Sequence, residues 1–479
     1  MKTLLVSTYE SGHQPLGLAA PAAALRARGH DVRCLDLAVE SPEVARIADA
    51  ALIAISIPMH TAARLGIALA RRMRALNPRA HIAFYGLYAG PLSATLLDGE
   101  DGEAIADSVH AGEYEPSLCE LADALASGPV KDGVNGGAGG GANGAASASS
   151  QPRFDRQQYP LPDRTGLPPL DVYARVQTLD GTRLAGYVEA TRGCAHSCRH
   201  CPITPVYGGR LRLVQAETVL ADIDQQVAFG ARHITFGDPD FLNAVPHSMA
   251  IVEQLAARHP DVTFDVTVKV EHLIEHASVL PRLSAAGCLF ITSAFESCSD
   301  AVLSYLDKGH TRAQMDEALA RTAAEGLTVR PTWLAFTPWC TVEDYLEMLD
   351  FIAAHGLVGH VQPVQYALRL LLPPGSPLVP LIEGQGLLGP YDGEALTYGW
   401  TNADPRIDPL QAAVAAIIED AAARCTCDDD ATAHRAHDIE TFTRVKRATL
   451  AALGRGDEAV TVAAQPERPA PRLTEDWFC

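Results

Sequence analysis

The chain lacks any apolar run near the roughly 18 residues that a membrane-spanning helix needs, so none is expected. Its opening, Met1 to Glu10, holds too short an apolar stretch for a secretory signal. Positive charge is scarce as well: 38 Lys and Arg stand against 58 Asp and Glu, for a formal charge of −20. A broad nucleic-acid footprint needs a basic face, so nucleic acid is an unlikely partner on this balance. With no secretion signal, the 11 cysteines read as metal-binding or catalytic rather than as a disulfide framework. A reducing cytoplasm is the expected compartment. At 479 residues the chain has room for two or three domains with sizeable cores.

What is present centres on Cys194-Ala-His-Ser-Cys198-Arg-His-Cys201. Three cysteines spaced C-x3-C-x2-C can turn their sulfurs toward one point, and thiolates select zinc, Cu(I) or iron–sulfur clusters. A closed zinc site wants four N or S ligands, usually from two cysteine pairs. No second pair follows at that distance, although His196 or His200 leaves a zinc reading open. Three thiolates on a [4Fe–4S] cluster would leave one iron free for another ligand.

Before this loop, strand-like runs at Leu4–Ser7, Asp31–Leu37, Ala51–Ile57 and His81–Tyr85 alternate with helical patterns at Leu16–Arg28, Thr61–Leu76 and Glu115–Ala126. That alternation predicts a doubly wound parallel sheet over residues 1–127, with ligands at the strands' carboxyl ends. Residues 128–152 are rich in Gly, Ala and Ser and almost free of bulky apolar side chains. They read as a flexible linker, and with the proline-rich approach at Pro160–Leu170 the linker region spans 128–180. We expect the approach to drape on the domain that follows.

That domain, residues 181–380, shows strand candidates at Gly186–Thr191, His233–Phe236, Thr263–Val270, Leu289–Phe295, Thr328–Phe336 and His360–Leu371. Helices are expected between them, and in parallel barrels the functional groups cluster at the strands' carboxyl ends. Residues 381–479 read as a helical region, with Asp408–Cys425 and Ala436–Leu453 as its main helices.

C-x3-C-x2-C at a strand end, opening a series of strands and helices, resembles the radical S-adenosylmethionine (SAM) superfamily. The resemblance implies a partial (β/α)6 barrel, with Cys194, Cys198 and Cys201 as cluster ligands and SAM chelated at the open iron. It also implies reductive cleavage of SAM by an electron from a flavodoxin- or ferredoxin-type donor. Gly237-Asp-Pro-Asp240 stands where the superfamily holds the SAM amino group, so Asp238 and Asp240 are candidate contacts. Glu296-Ser297 matches the segment near the ribose, and Arg330 and Arg369 are candidate cations for a carboxylate. Lys308-Gly-His-Thr311 is expected to start a helix with Thr311 as its N-cap.

Residues 1–127 resemble the cobalamin-binding-like domain that precedes many such barrels. The loop after the first strand, Glu10 to Gly17, lacks the Asp-x-His-x-x-Gly of domains that ligate cobalt through histidine. His13 therefore reads as a loop histidine, and cobalamin remains a possible cofactor without a protein ligand.

Cys198-Arg-His-Cys-Pro202, Asp238-Pro-Asp-Phe-Leu-Asn243 and Gln365 to Gly375, with the tail Arg472 to Cys479, are similar to the CUAEP/CCAEP-tail radical SAM (seleno)proteins. That resemblance implies a UGA codon after Cys479. The paired Cys425 and Cys427, which could bind a soft element, are with Cys479 the candidate catalytic groups for a small molecule bearing arsenic, selenium or sulfur. Alkyl or aminocarboxypropyl transfer is the leading expectation. A cobalamin-dependent radical SAM methyltransferase is the alternative, and a non-catalytic iron–sulfur or zinc protein is the reading from another class.

Overall fold

The computed structural model describes residues 1–99, 102–128, 152–154, 157–178, 180–425, 431–460, 462 and 470–475. Two compact units emerge: Met1–Val172 with Gly393–Leu396, and Tyr173–Asp392 with the described residues from Thr397 to Glu475.

The first unit carries five parallel strands, β1 (Lys2–Ser7), β2 (Asp31–Asp36), β3 (Leu52–Ser56), β4 (His81–Tyr85) and β5 (Ser108–His110), in the order β2-β1-β3-β4-β5. Their unbroken apolar runs suit a sheet covered on both faces: every residue of β3 is buried. On one face Leu5, Leu52, Ala54 and Tyr85 meet Leu18 and Leu25 of α1 (Leu16–Ala27) and Leu118 and Leu121 of the helix Tyr114–Ser127. On the other, Ile53, Ile55 and Phe84 meet Ile47 of α2 (Val44–Asp49), Ile67 and Met73 of α3 (His60–Leu76) and Leu96 of α4 (Ser93–Asp98). The helix Tyr114–Ser127 is α5. The doubly wound expectation holds, with β5 and the short helices α2 and α4 added to it.

The segment after the linker belongs to this unit. Arg153 bridges to Gly112 beside β5, and Asp163 N–H donates to Ala19 O in α1 at 3.0 Å. Arg26 grips the Asp163 carboxylate at 2.6 Å, and Arg164 donates to Gln14 Oε1 at 3.0 Å. The proline-rich stretch at 160–170 therefore lies on the first unit and not on the barrel. Proline content marks an extended path but does not choose its partner. Residues 129–151, expected as the flexible part, fall outside the described residues.

In the second unit the sheet runs β13-β12-β11-β10-β7-β6-β16. The central strands β7 (Gly181–Val188), β10 (His233–Phe236), β11 (Thr263–Thr267), β12 (Cys288–Glu296) and β13 (Thr328–Trp333) are parallel neighbours. A short antiparallel ladder of β8 (Thr191–Gly193) with β9 (Leu211–Leu213) brackets the cysteine loop and α6 (Ile203–Tyr207). Crossovers are α7 (Ala216–Ala228), α8 (Val245–Arg258), α9 (Val270–Glu275), α10 (Leu280–Ala285), α11 (Asp300–Leu306) and α12 (Arg312–Ala324), with α13 (Val342–Ala354) following β13. Thr311 caps α12 in a reciprocal box with Gln314, as expected.

This is the radical SAM half-barrel architecture, with one local difference. The sixth strand expected at His360–Leu371 is reduced to 3-10 turns at Val358–His360 and Pro363–Ala367 and a single parallel bridge, Phe336 to Arg369. Pro331 and Pro363 cannot donate to a ladder, and Gln365 Oε1 takes the Trp333 N–H at 3.0 Å. The barrel's first edge is extended instead by β6 (Arg175–Thr178), antiparallel to β7, and by β16 (Arg472–Leu473), antiparallel to β6.

Beyond the barrel come α14 (Val379–Gly384), the hairpin β14 (Leu388–Asp392) and β15 (Thr397–Trp400), then α15 (Ile407–Arg424) and α16 (Ala431–Ala452). Among the described residues no helix is long and apolar enough to cross a membrane.

In the first unit Glu113, 1% exposed, accepts from Tyr159 Oη at 2.7 Å and Gln157 Nε2 at 2.8 Å. Tyr159→Phe removes a hydrogen bond to a charged acceptor, worth about 1.5 kcal/mol. The expected result is a lower urea midpoint for the transition that unfolds this unit, with its slope unchanged.

Candidate active site at the barrel mouth

Gly193 closes β8 with φ +74, and a Cβ there would stand 2.4 Å from Arg210 O and 2.5 Å from Tyr207 Cδ1. Only glycine lets the β8–β9 clamp shut under the loop. Within the loop Thr204 Oγ1 donates to Cys198 O at 2.8 Å, and Arg199 N–H donates to Leu306 O at 2.9 Å.

The three thiols are close enough to perturb one another. Burial pushes the Cys201 thiol up to about 11, with the Cys198 and Cys194 charges adding to the rise. Cys198 is raised first by burial, and the Lys308 and Lys269 charges oppose that rise. Asn243 Nδ2 lies 3.4 Å from Cys194 Sγ. Three soft donors on one pinned loop, with buried cations beside them, fit a [4Fe–4S] cluster.

Around the loop the strand ends deliver charged groups. Asp240, after β10, is wholly buried; its Oδ1 caps the 3-10 turn by accepting Leu242 N–H at 3.2 Å. Its Oδ2 stands 3.2 Å from His196 Nε2 and 2.7 Å from His272 Nδ1. Burial alone would raise this acid, but the two imidazoles hold it at about 2. Lys269 Nζ lies 3.1 Å from His196 Nδ1 and 3.0 Å from Glu271 Oε2. An ammonium only donates, so Nδ1 accepts and Nε2 carries the proton toward Asp240. His196, Asp240 and His272 bring their ligand atoms within 4.8 Å of one another, with the His196 Nε2–H directed at Asp240.

Glu296 ends β12 and accepts from His200 Nε2 at 3.1 Å, with Lys308 Nζ 3.3 Å from the same oxygen. Burial would raise it; the Lys308 charge and then the His200 hydrogen bond bring it down to about 2. Ser297 Oγ accepts Ser299 N–H at 3.1 Å at the start of α11.

Other sequence candidates have different employment. Asp238 accepts Ala190 N–H at 3.0 Å and Thr191 Oγ1 at 2.6 Å, so it shapes the approach to the cysteine loop. Burial pushes it up to about 7 despite those bonds. Arg330 is buried and donates to Pro471 O at 2.6 Å, beside β16. Arg369 donates to Asp408 Oδ1 at 2.7 Å and stacks 3.6 Å above Trp400. Both guanidinium groups are thus engaged by Pro471, Asp408 and Trp400 and not by the groups around the cysteines. Cys425 caps the carboxyl end of α15, partly buried; Cys427 and Cys479 lie outside the described residues.

The sequence reading gave no role to Asn243 and took Lys308 only for a helix approach. The signal available for Lys308 was its neighbour Gly309, whose positive φ of 84° turns the chain there.

In the first unit, at the strands' carboxyl ends, a Cβ on Gly86, φ +106, would stand 3.1 Å from the Ile57 carbonyl, and one on Gly90 3.1 Å from Ala111 Cβ. Glycine at these two positions lets the chain segments after β3, β4 and β5 pack closely against one another. His13 is buried, 8% exposed, and no observation makes it a cobalt ligand.

Comparison with known proteins agrees with both units. Residues 188–356 match the Radical SAM superfamily, and residues 2–116 match the B12 binding domain. Hopanoid C-3 methylase of Methylococcus capsulatus is 26% identical over 331 residues, 68% of this chain and 62% of that protein. Bacteriochlorophyllide d C-8(2)-methyltransferase of Chlorobaculum tepidum is 24% identical over 273 residues, 53% of this chain and 54% of that protein. The chain thus spans little more than half the length of these relatives. The structure of the cobalamin-dependent SAM radical enzyme OxsB with aqua-cobalamin bound superposes with a TM-score of 0.66 at 15% identity, covering 94% of this chain and 72% of that one. At that identity the likeness shows the fold. A [4Fe–4S] cluster, SAM and cobalamin are the cofactors of this domain pair.

Gly193→Ala forces a side chain into the left-handed region, at about 1–2 kcal/mol, and onto Arg210 O. The expected outcome is a folded protein that loses most of its iron on anaerobic reconstitution, measured by iron analysis.

Proposed function

We propose that this chain, a B12-binding domain followed by a radical SAM domain, is a cobalamin-dependent methyltransferase that places a methyl group on carbon in a small molecule. The observation that carries it is the occurrence in one chain of a three-thiol loop at a half-barrel mouth and a parallel sheet of order β2-β1-β3-β4-β5. Two relatives named for methylation at numbered carbons support the choice. We therefore put methyl transfer ahead of the soft-element reading, for which Cys425, Cys427 and Cys479 were the candidate groups, and nothing in the comparisons supports the CUAEP/CCAEP tail.

When bound, the cluster would supply the electron for cleavage of SAM at its sulfonium, and cobalamin would carry the methyl group. The residues do the positioning. Cys194, Cys198 and Cys201 would hold the cluster and leave a place on it for SAM. Asp240, kept ionised by His196 and His272, would hold those two rings in place beside the SAM site, and Lys269 would face the SAM carboxylate. His200 and Lys308 both meet Glu296 Oε1, which leaves Oε2 to accept from a ribose hydroxyl. A flavodoxin- or ferredoxin-type protein supplies the electron.

The test is anaerobic reconstitution with cluster and cobalamin, reduction, and mass spectrometry of products from methyl-labelled SAM. S-adenosylhomocysteine and 5′-deoxyadenosine with bound corrinoid are expected. Methylthioadenosine would instead indicate aminocarboxypropyl transfer, and no SAM cleavage would indicate a non-catalytic protein. Asp240→Asn removes the charge that holds His196 and His272, about 1.5–3 kcal/mol for a hydrogen bond to a charged group, so SAM affinity should fall about tenfold, measured by equilibrium binding.

A further inference from the structure

Lys308 is an unusual residue to find inside a protein: 4% exposed, with its ammonium on a single carboxylate, Glu296, at 3.3 Å. The backbone is shaped to bring the two together. Glu296 adopts φ +65 at the point where β12 and β13 slip register. Asp307, φ +53, and Gly309, φ +84, turn the chain on either side of Lys308. A Cβ on Gly309 would stand 2.8 Å from Glu271 Oε2, so this turn also needs glycine to lie against the Lys269–Glu271 pair. Left-handed backbone at non-glycine residues persists where surrounding structure enforces it, most often at functional sites.

The pair reaches the cysteine loop along two routes. The oxygen that meets Lys308 also accepts from His200 Nε2 at 3.1 Å, and His200 directly precedes Cys201. Separately, Arg199 N–H donates to Leu306 O at 2.9 Å, tying the loop to α11 just before Lys308. A positive charge is thus fixed behind the carboxyl half of the loop, in a region that water does not screen.

We propose that Lys308, seated by Glu296, is a positioning charge for the iron–sulfur cluster: it stabilises the reduced state and so sets the potential at which SAM can be cleaved. The physical basis is Coulombic. Reduction adds one negative charge to a cluster that three thiolates already make negative, and a nearby cation lowers the energy of that state. Net charge, hydrogen bonds and solvent exposure are the established determinants of such potentials. Burial would discharge an isolated lysine; Glu296 first, then the cysteine charges, hold Lys308 above its usual range. The inference rests on the three-thiolate cluster described above.

The test is an anaerobic redox titration of the reconstituted full chain, read by electron paramagnetic resonance without SAM. Lys308→Met is expected to keep its iron and shift the midpoint to more negative potential. Lys308→Arg, which keeps the charge, is expected to stay near the parent. Glu296→Gln, which removes the opposing charge while the negative cluster remains beside Lys308 to hold its ammonium, is expected to shift it positive. Equal shifts for Lys308→Met and Lys308→Arg, or shifts of the same sign for Lys308→Met and Glu296→Gln, overturn the proposal. Should Lys308→Met lose its cluster, Glu296→Gln decides alone: a positive shift supports the proposal and no shift or a negative one defeats it. A parent protein that binds no iron would overturn the cluster reading itself.

Discussion

Three thiolates cannot share one partly buried loop unless a cation lies among them, and much of the second unit is arranged around that constraint. Without metal the buried Cys198 and Cys201 resist ionisation, the latter pushed up to about 11 chiefly by burial. Cluster assembly therefore releases protons and couples to pH. The loop is held ready for it. Gly193 permits the clamp of β8 on β9, Asp238 ties the preceding turn, and Arg199 anchors the far side to α11.

The charges at the barrel mouth fall into two sets with different surroundings. Asp240, His196, His272, Lys269 and Glu271 form a connected chain whose central carboxylate stays ionised although buried. Glu296, His200 and Lys308 form a second set directly behind the cysteines. One set is gathered around the Asp240 carboxylate; the other meets the loop through His200. Both depend on chain segments far apart in sequence, which is why the parallel strands matter: they set remote residues side by side at their carboxyl ends.

The cysteine loop was legible because its information is local, three thiols within eight residues. The buried parallel strands were legible because their apolar runs are nearly continuous. Pairing was not legible. Nothing near Arg330 in sequence shows that its guanidinium is taken by Pro471, 141 positions away, and nothing near Arg369 points to Asp408. The strand expected at His360–Leu371 failed because alternation and apolar content say little about a missing donor at Pro331 and Pro363. The docking of Asp163 and Arg164 on α1 and Gln14 was equally hidden, since extended proline-rich chain carries no mark of the surface it follows.

The account stands on an iron left open by three cysteine ligands. Hyperfine spectroscopy of the dithionite-reduced, reconstituted protein with SAM labelled with 15N and 17O on its amino-acid part tests this most directly. Coupling of both labels to a [4Fe–4S] signal is expected if SAM binds the open iron through its amino and carboxylate groups. A cluster whose spectrum SAM leaves unchanged, or a chain that retains zinc and gives no such signal, would contradict it.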